Sequence, residues 1–268
     1  MTPNSSSLRL IYRSLKSFFY FLVSYFFAFR GIQVSIGKVS LFLPPRHFRV
    51  YPSNYEALNI STLLRMNLPQ NTTAIDVGAH YGLYSVLLAK YLQLRVLSIE
   101  PTPYSFSVLL QSICMNSLQG YISPIRAAVS NYNGISSFNV QQSSGSVANS
   151  LVTYNHSDEP KYTIEVNVFA LDSLVSSTPI SFIKIDAEGS ELEVLNGAKN
   201  IILNFRPIIL LGVHPVALDS LGHTLYDVLE FINEIGYEIT SFSSPNISYA
   251  NFARQSSVFD VFLAPRQL

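Results

Sequence analysis

Residues 74–91 place a short apolar run, a turn with glycines at Gly78 and Gly82, and a helical pattern in direct succession. Glycine lets the backbone pass close to a ligand, and a helix N-terminus offers unpaired N–H groups to an anionic part of that ligand. A buried strand, a glycine turn and a helix in this order are typical of an open, parallel α/β sheet. This feature limits the possible folds more than any other in the chain.

Strand and helix patterns continue to alternate after this turn, which predicts a Rossmann-like, doubly wound and mostly parallel sheet of seven strands. The predicted strands are 74–77, 95–99, 122–129, 182–185, 208–213, 237–242 and 257–263, and the predicted helices are 81–91, 105–116, 188–199 and 224–235. No helical pattern separates the last two strands, so the final strand is expected to return antiparallel. Residues 136–169 interrupt the order and are interpreted as an inserted hairpin with a mobile loop at 141–157.

The first seventy residues precede this pattern and are predicted to form an extension. They contain an apolar aromatic run, a hairpin pattern around Gly37 and a helical pattern over 54–68. We therefore divide the chain into an extension of residues 1–70 and a main α/β domain of residues 71–268.

Residues 17–29 carry no charge and are rich in phenylalanine and tyrosine. A helix of this length spans roughly 20 Å, whereas a bilayer core of about 30 Å needs around 20 apolar residues. No small-x-small cleavage site follows the run, which disfavours a secretory signal. Two interpretations stay open: a helix packed on the domain or on an oligomer partner, and a peripheral membrane contact with basic residues at the headgroups.

The charge balance and the cysteine content exclude several classes of protein. Lys+Arg and Asp+Glu both number 17, so no overall basic field favours nucleic acid as a partner. Cys114 is the one cysteine and cannot form an intramolecular disulfide, and no Cys/His cluster has structural-zinc spacing. We predict a cytoplasmic protein without a bound metal or a nucleic-acid partner.

Glu100 ends the strand that follows the glycine turn and lies 18 residues after Gly82. An acidic residue at about this distance from the turn contacts ribose hydroxyls in dinucleotide-binding folds, and a carboxylate offers two acceptor oxygens to a cis-diol. His80 stands where the dinucleotide fingerprint expects its second glycine, which disfavours a nicotinamide oxidoreductase. The simpler alternatives are a solvated strand end for Glu100 and a turn cap for Asp76. The pair together favours a ribose-bearing cofactor.

Four stretches resemble the FkbM family of Class I S-adenosylmethionine-dependent methyltransferases. They are AIDVGAHYGLYSVLLAK from Ala74, VLSIEPTPYSFSVLLQSI from Val96, AAVSNYNG from Ala127 and FIKIDAEGSELEVLNGA from Phe182. The likeness covers roughly residues 71–211 and leaves the first seventy outside. It implies the Class I methyltransferase fold and S-adenosylmethionine as the cofactor.

The resemblance also implies a set of cofactor-binding residues in the turn and the strand ends. The turn would frame the methionine end of the cofactor, the acidic residue after the next strand would hold the ribose, and an alanine would flank the adenine. The implied residues are Asp76, Gly78, Gly82, Glu100 and Ala128, and Ala79 and His80 of the same turn are further cofactor-binding candidates.

Asp186, Glu188 and His214 follow two predicted strands whose carboxyl ends should face the ligand crevice. Methyl transfer to a hydroxyl needs alignment and removal of one proton, and carboxylates and histidine are suitable bases. The alternative for Asp186 is an N-cap of the following helix, and the alternative for His214 is a merely hydrogen-bonded side chain. Family members often carry a glutamate at the position of Gly212, so a role for that glutamate is in doubt here.

These features together predict an S-adenosylmethionine-dependent O-methyltransferase that acts on a hydroxyl of a sugar-containing or secondary-metabolite acceptor. The expected partner is a small-molecule or glycan acceptor, and an oligomer is possible. The alternative is a non-catalytic module of the same fold, tethered to a membrane as a binding or assembly protein. Gly212 and the aromatic run at 17–29 keep this alternative open.

Overall fold

The computed structural model describes residues 30–140, 150–151, 162–175, 178–242 and 249–266. Its strands are β1 Ile32–Ile36, β2 Val39–Leu43, β3 Thr73–Val77, β4 Arg95–Ile99, β5 Ile122–Ile125, β6 Ala128–Val129, β7 Gly134–Val140, β8 Tyr162–Phe169, β9 Ile180–Ile185, β10 Ile208–Val213, β11 Tyr237–Phe242 and β12 Phe259–Pro265. Its α-helices are α1 Ala57–Leu63, α2 Leu83–Lys90, α3 Pro103–Met115, α4 Leu171–Leu174, α5 Glu191–Gly197, α6 Lys199–Phe205, α7 Pro215–Ser220 and α8 Leu225–Glu234. A 3-10 helix spans Tyr249–Arg254.

Seven strands form the central sheet in the order β11-β12-β10-β9-β3-β4-β5. Five of them, β5, β4, β3, β9 and β10, run parallel, whereas β12 is antiparallel to both of its neighbours. This confirms the predicted doubly wound, mostly parallel sheet and the antiparallel return of the last strand. The strands β3 and β9 are almost wholly buried, as expected where helices cover both faces of a parallel sheet.

The strand order reverses between β3 and β9, because the chain runs from β3 to β4 and β5 on one side and places β9 and β10 on the other. Ligands of open α/β sheets bind at such a reversal, outside the carboxyl ends of the strands. The register sets Val77 of β3 opposite Ile99 of β4 and Ile185 of β9. The residues that follow these three positions therefore gather at one edge of the sheet.

The single strand predicted over 122–129 is wrong, because the chain changes sheets within it. β5 is the edge strand of the central sheet, and its Pro124 has no N–H to donate to a further strand. The next two residues leave the sheet, and β6 then pairs parallel with β8 in a separate sheet of order β6-β8-β7.

The insertion predicted after 136 is confirmed as an antiparallel pair of β7 with β8. The mobile loop predicted at 141–157 lies outside the described residues except for Ser150 and Leu151. Ser150 forms an antiparallel bridge with Asn139 of β7.

The helix predicted over 188–199 begins later and is broken in two. Glu188 and Gly189 have positive φ values of 50° and 107°, so the backbone is not helical there, and Ser190 is the N-cap of α5. The N-cap role considered for Asp186 is therefore wrong. Gly197 ends α5 where a side chain would stand 2.0 Å from the carbonyl oxygen of Ser130. The short helix α7 directly after β10 has no counterpart among the predicted helices.

The described part of the extension packs against the main domain. The predicted hairpin is confirmed as β1 and β2, and its buried side chains share one hydrophobic cluster with those of α2 and α3. Asn116 at the end of α3 bonds both backbone groups of Phe42 in β2, at 3.0 and 2.8 Å. Residues 17–29 lie outside the described residues, and among the described helices none is long and apolar enough to cross a membrane.

Candidate active site

A cavity of about 260 Å³ opens at the edge of the sheet where β3, β4 and β9 end. Nine of the ten residues proposed from the sequence line it, namely Asp76, Gly78, Ala79, His80, Glu100, Ala128, Asp186, Glu188 and His214. Gly82 does not line it. The cavity is thus where the predicted cofactor and acceptor residues meet.

The two glycines of the turn are required for close packing. Gly78 has φ +72°, and a Cβ there would stand 2.0 Å from the carbonyl oxygen of Asp186. The N–H groups of Gly78 and Ala79 both donate to the carbonyl of Ile99, at 3.0 Å. Gly82 has φ +89° and begins α2, where a Cβ would stand 2.7 Å from Leu109 of α3. The glycines therefore let strand ends and helices approach one another closely.

His80 adopts φ 49° at the centre of the turn, and its backbone N–H donates to Glu100 Oε2 at 2.9 Å. The other oxygen of Glu100 accepts the N–H of Thr102 at 2.8 Å. Burial raises the pKa of Glu100, and hydrogen bonds from the backbone and the side chain of Thr102 and from the backbone of His80 partly oppose the rise. An ionised carboxylate offers about four lone-pair sites, so Glu100 can also accept a hydroxyl donor from the cavity.

Asp76 lies at the floor of the cavity and is completely buried. Its Oδ2 accepts the hydroxyl of Ser85 at 2.5 Å, whereas its Oδ1 is buried without a hydrogen-bond partner. Burial raises the pKa of Asp76, and the nearby Lys184 opposes the rise. An unsatisfied buried carboxylate oxygen is costly, so this atom suits a ligand that donates an N–H.

His214 is held between carboxylates from both sides of its ring. Nδ1 lies 2.8 Å from Glu191 Oε1, and Nε2 lies 3.3 Å from Glu188 Oε2 and 3.8 Å from Asp186 Oδ1. Burial alone would lower the pKa of His214, but the hydrogen bonds and charges of Glu188 and Glu191 outweigh it and raise that pKa to about 12. His214 is therefore an imidazolium at neutral pH and holds no lone pair that could accept a proton.

Asp186 forms an ion pair with Lys184, whose Nζ lies 3.0 Å from its Oδ2. Burial alone would raise the pKa of Asp186, but Lys184 and His214 outweigh it and lower that pKa. Burial would likewise lower the pKa of Lys184, but Asp186, Asp76 and Glu56 outweigh it and raise that pKa. Both groups are thus charged and hold each other in place.

The possible ligand atoms of Asp186, Glu188 and His214 lie within 4.8 Å of one another in the described part of the chain. The absence of a metal stays a prediction.

Several residues of the cavity were not singled out from the sequence. Lys184 and Asp260 are charged residues inside otherwise apolar strands, and that contrast is a signal that could have identified both. The side chains of Tyr51, Tyr55 and Glu56 also line the cavity, although they belong to the extension. No spacing in the sequence marks these three.

Comparison with known proteins gives the family. Residues 76–239, more than half of the chain, match the model of the methyltransferase FkbM domain. The chain belongs to this family. The resemblance predicted from the four sequence stretches is therefore confirmed.

Two curated relatives and one solved structure illustrate the likeness. Methyltransferase sdnD of Sordaria araneosa is 32% identical over 69 residues, which are 25% of this chain and 27% of the relative. Hexuronic acid methyltransferase AglP of Haloferax volcanii is 28% identical over 163 residues, which are 59% of this chain and 64% of the relative. The crystal structure of methyltransferase FkbM from Methylobacillus flagellatus KT has 17% identity and a TM-score of 0.52, over 74% of this chain and 45% of that chain. The chain thus spans less than two thirds of each of these proteins, and the structural likeness shows the fold.

The residues that line the cavity fit S-adenosylmethionine, the cofactor that the family resemblance implies. Asp76 Oδ1 is a buried acceptor without a partner, as the ammonium group of the amino-acid end requires. Glu100 lines the cavity, where a ribose hydroxyl could donate to it. The apolar side chains of Ile99, Ala128 and Phe138 line the cavity as well and could pack against an adenine.

Proposed function

We propose that this protein is an S-adenosylmethionine-dependent O-methyltransferase whose acceptor is an uncharged hydroxyl of a sugar-containing molecule. The observation that supports the proposal is that acidic side chains outnumber basic ones in the lining of the cavity. The acidic residues that line it are Glu56, Asp76, Glu100, Asp186, Glu188 and Asp260.

Carboxylates accept hydrogen bonds and, when ionised, donate none. A hydroxyl group donates one, so it complements this lining, whereas an acceptor that carries its own carboxylate meets like charges. The cationic side chains of Lys184 and His214 do not change this balance, because each is already bound to carboxylates. The lining therefore favours neutral hydroxyl acceptors over acidic ones.

Tyr51 and Tyr55 support a sugar as the carrier of this hydroxyl. Their rings lie on the cavity wall with centroids 5.0 Å apart. Aromatic side chains combine a large apolar surface with a polar tip, which suits the apolar faces and the hydroxyl edges of a pyranose. The relative AglP is named for a hexuronic acid, which supports the class of sugar acceptors, and the acidic lining favours a neutral member of that class.

When bound, S-adenosylmethionine supplies a methyl group that its positive sulfonium makes electrophilic. The residues of the chain bind the cofactor, orient the acceptor and accept the proton of its hydroxyl. Asp76 and the turn hold the amino-acid end, Glu100 holds the ribose, and the tyrosines of the extension orient the acceptor. The carboxylates beside the acceptor draw the hydroxyl proton away from its oxygen.

The alternative of a non-catalytic module tethered to a membrane depended on Gly212 and on residues 17–29. Gly212 is faced by the carboxylate of Asp260, 3.2 Å from where a Cβ would stand, so an acidic group is still present there. Residues 17–29 lie outside the described residues. We therefore do not favour this alternative.

A panel of methyl glycosides tests the function. Each neutral hexoside is paired with the uronic acid that differs from it at C6, and methyl-labelled cofactor is supplied. We expect label on a hydroxyl oxygen of a neutral glycoside and a kcat/KM at least about tenfold higher than for its uronic acid partner, a difference of about 1.4 kcal/mol. Mass spectrometry and NMR of the product locate the methyl group.

The control is Glu100→Gln, which keeps the size of the side chain but removes the charged acceptor. Hydrogen bonds to charged groups contribute about 1.5–3 kcal/mol, so calorimetry should show weaker binding of S-adenosylhomocysteine by that amount. Transfer to the carboxylate of a uronic acid or to an amine would contradict the proposal.

A further inference from the structure

Asp260 is a charged residue in β12, a strand whose remaining central residues are apolar and buried. It follows the segment that matches the family model, which ends at residue 239. Its side chain lines the cavity, and its strand pairs with β10 so that Asp260 stands directly opposite Gly212. The question is what a carboxylate does at this point.

Gly212 leaves room for the Asp260 side chain beside Asp186. A Cβ on Gly212 would stand 3.2 Å from Asp260 Oδ1 and 3.5 Å from Asp186 Oδ1. The two carboxylates therefore approach the same point from two strands. An acceptor hydroxyl in this part of the cavity can be within hydrogen-bond reach of Asp260 Oδ1.

Asn59 orients the Asp260 carboxylate. Its Nδ2 donates to Asp260 Oδ2 at 2.7 Å, and the Asn59 side chain is buried on α1 of the extension. This bond holds Oδ2 toward the extension and turns Oδ1 toward Gly212 and Asp186. The extension thus reaches into the site through a residue 201 positions away in sequence.

The other candidate bases are less suited to accept a proton. His214 is an imidazolium with carboxylates at both ring nitrogens. Asp186 is held ionised by Lys184, and Glu188 accepts a hydrogen bond from His214. A base works best when its pKa lies near the working pH, and neither the imidazolium of His214 nor Asp186, whose pKa is lowered, meets this condition. Burial raises the pKa of Glu188, but its Oε2 is already occupied by the hydrogen bond from His214.

Burial raises the pKa of Asp260 to about 6, and the charges of Glu56 and Asp186 add to the rise. The hydrogen bond from Asn59 and the charge of Lys184 oppose it. Tyr84 also interacts electrostatically with this carboxylate. Asp260 is therefore ionised at neutral pH and binds a proton more readily than an ordinary aspartate.

We propose that Asp260 is the general base that accepts the hydroxyl proton of the acceptor, and that Asn59 is its positioning residue. The inference rests on the proposed O-methyltransferase function. The acceptor O–H bond breaks, its proton goes to Asp260 Oδ1, and the oxygen uses the freed electron pair to form the bond to the methyl carbon. The electron pair of the broken carbon–sulfur bond stays with sulfur, and the proton later passes from Asp260 to water.

The first test compares Asp260→Asn with Asp219→Asn, a control on the exposed surface of α7. The acceptor is the methyl glycoside that the wild type methylates fastest. We expect Asp260→Asn to lower kcat by about 10²-fold to 10⁴-fold, to remove the acid limb of the kcat–pH profile, and to leave S-adenosylhomocysteine binding unchanged in calorimetry. Asp219→Asn should behave as the wild type.

The second test does not depend on turnover. With carbon-13 labelled aspartate, the carboxyl resonance that Asp260→Asn removes should titrate with a midpoint near pH 6 in the S-adenosylhomocysteine complex. Asn59→Ala should move this midpoint upward, because the bond from Asn59 favours the ionised form. Asn59→Gln, which keeps an amide donor, should restore part of the shift.

The outcomes separate this inference from the proposed function. If the wild type methylates no hydroxyl, the proposed function fails, and the titration then shows only the state of Asp260. If the wild type is active and Asp260→Asn keeps its kcat while Asp186→Asn loses it, the base is Asp186 and our inference is wrong. If Asp260→Asn fails to fold, Asp260→Glu, which also removes the labelled aspartate signal, identifies the resonance, and a midpoint of Asp260 at or below about 3.9, the ordinary value for aspartate, would overturn the inference by itself.

Discussion

His214 shows how the charge state of a single residue depends on its neighbours. An isolated histidine titrates near pH 6.5, which made His214 a natural candidate base from the sequence. The carboxylates of Glu188 and Glu191 raise its pKa to about 12, against the opposing effect of burial. The residue therefore acts as a fixed cation that holds the acidic side of the cavity together.

This charge state predicts a pH-dependent contribution to stability. The folded-state pKa of His214 lies above the unfolded value, so its stabilisation is fully present below pH 6.5 and is lost as the pH rises from there toward 12. Breaking a buried ion pair costs about 3–5 kcal/mol. His214→Gln should therefore destabilise the fold by about this amount at pH 6 and by less at pH 9.

Urea unfolding at the two pH values measures the difference. His223→Gln is the matched control, because His223 is half-buried and pairs with one carboxylate, Glu193, at 2.6 Å. We expect a small effect for the control, as for other exposed pairs. A destabilisation by His214→Gln that is the same at pH 6 and pH 9 would contradict the imidazolium assignment.

At the scale of elements, the site exists because the ends of β3 and β9 meet. Gly78 makes this contact possible, since any side chain there would meet the carbonyl of Asp186 at 2.0 Å. The contact places Asp76 and Asp186 on the same cavity. The glycine turn thus packs two strand ends together, a role that the sequence did not indicate, and the ligand approach inferred from the sequence stays a prediction.

Gly78→Ala and Gly37→Ala separate this packing from backbone strain. Both glycines have positive φ, at +72° and +56°, but a side chain at Gly37 meets nothing within 4 Å. Gly37→Ala should cost only the left-handed strain, about 1–2 kcal/mol. Gly78→Ala adds overpacking of about 1–3 kcal/mol and should also weaken S-adenosylhomocysteine binding.

Urea unfolding and calorimetry check these two expectations. Equal losses of stability in both variants, with cofactor binding intact in Gly78→Ala, would show that the strand ends tolerate the extra carbon and would refute the packing role.

At the scale of the whole molecule, the extension and the main domain share a hydrophobic cluster, in which side chains of β1 and β2 pack with those of α2 and α3. Tyr51, Tyr55 and Glu56 reach the cavity from the extension, and Asn59 contacts Asp260. The division at residue 70 is a boundary in sequence pattern, while the described residues on both sides build one site.

Deletion of residues 1–29 tests the role predicted for the apolar aromatic run. We expect S-adenosylhomocysteine binding to be unchanged, because among the described residues those that line the cavity begin at Tyr51, and we expect association with liposomes or with a second subunit to decrease. Liposome flotation and solution mass measure these properties. Unchanged flotation and mass, together with a sharp fall in thermal stability, would show that the run is part of the core.

Local signals in the sequence determined the fold and much of the cofactor site. Apolar runs and helical spacing predicted the seven-stranded sheet, because side-chain periodicity reflects which faces are buried. The glycine turn and Glu100 predicted the cofactor half of the cavity, because both lie at strand ends that the parallel order brings to one edge. The positions of these residues can be inferred from the order of neighbouring strands and helices alone.

The tertiary structure alone brought together the residues of the proposed acceptor half. Asn59 and Asp260 meet across 201 positions, and the tyrosines of the extension reach the cavity only after the hairpin packs on α2 and α3. The proton affinities of His214, Asp186 and Asp260 depend on burial and on which charges stand nearby. Sequence spacing carries no record of such contacts, because pKa values and side-chain partners are set by distances in space that only the folded chain defines.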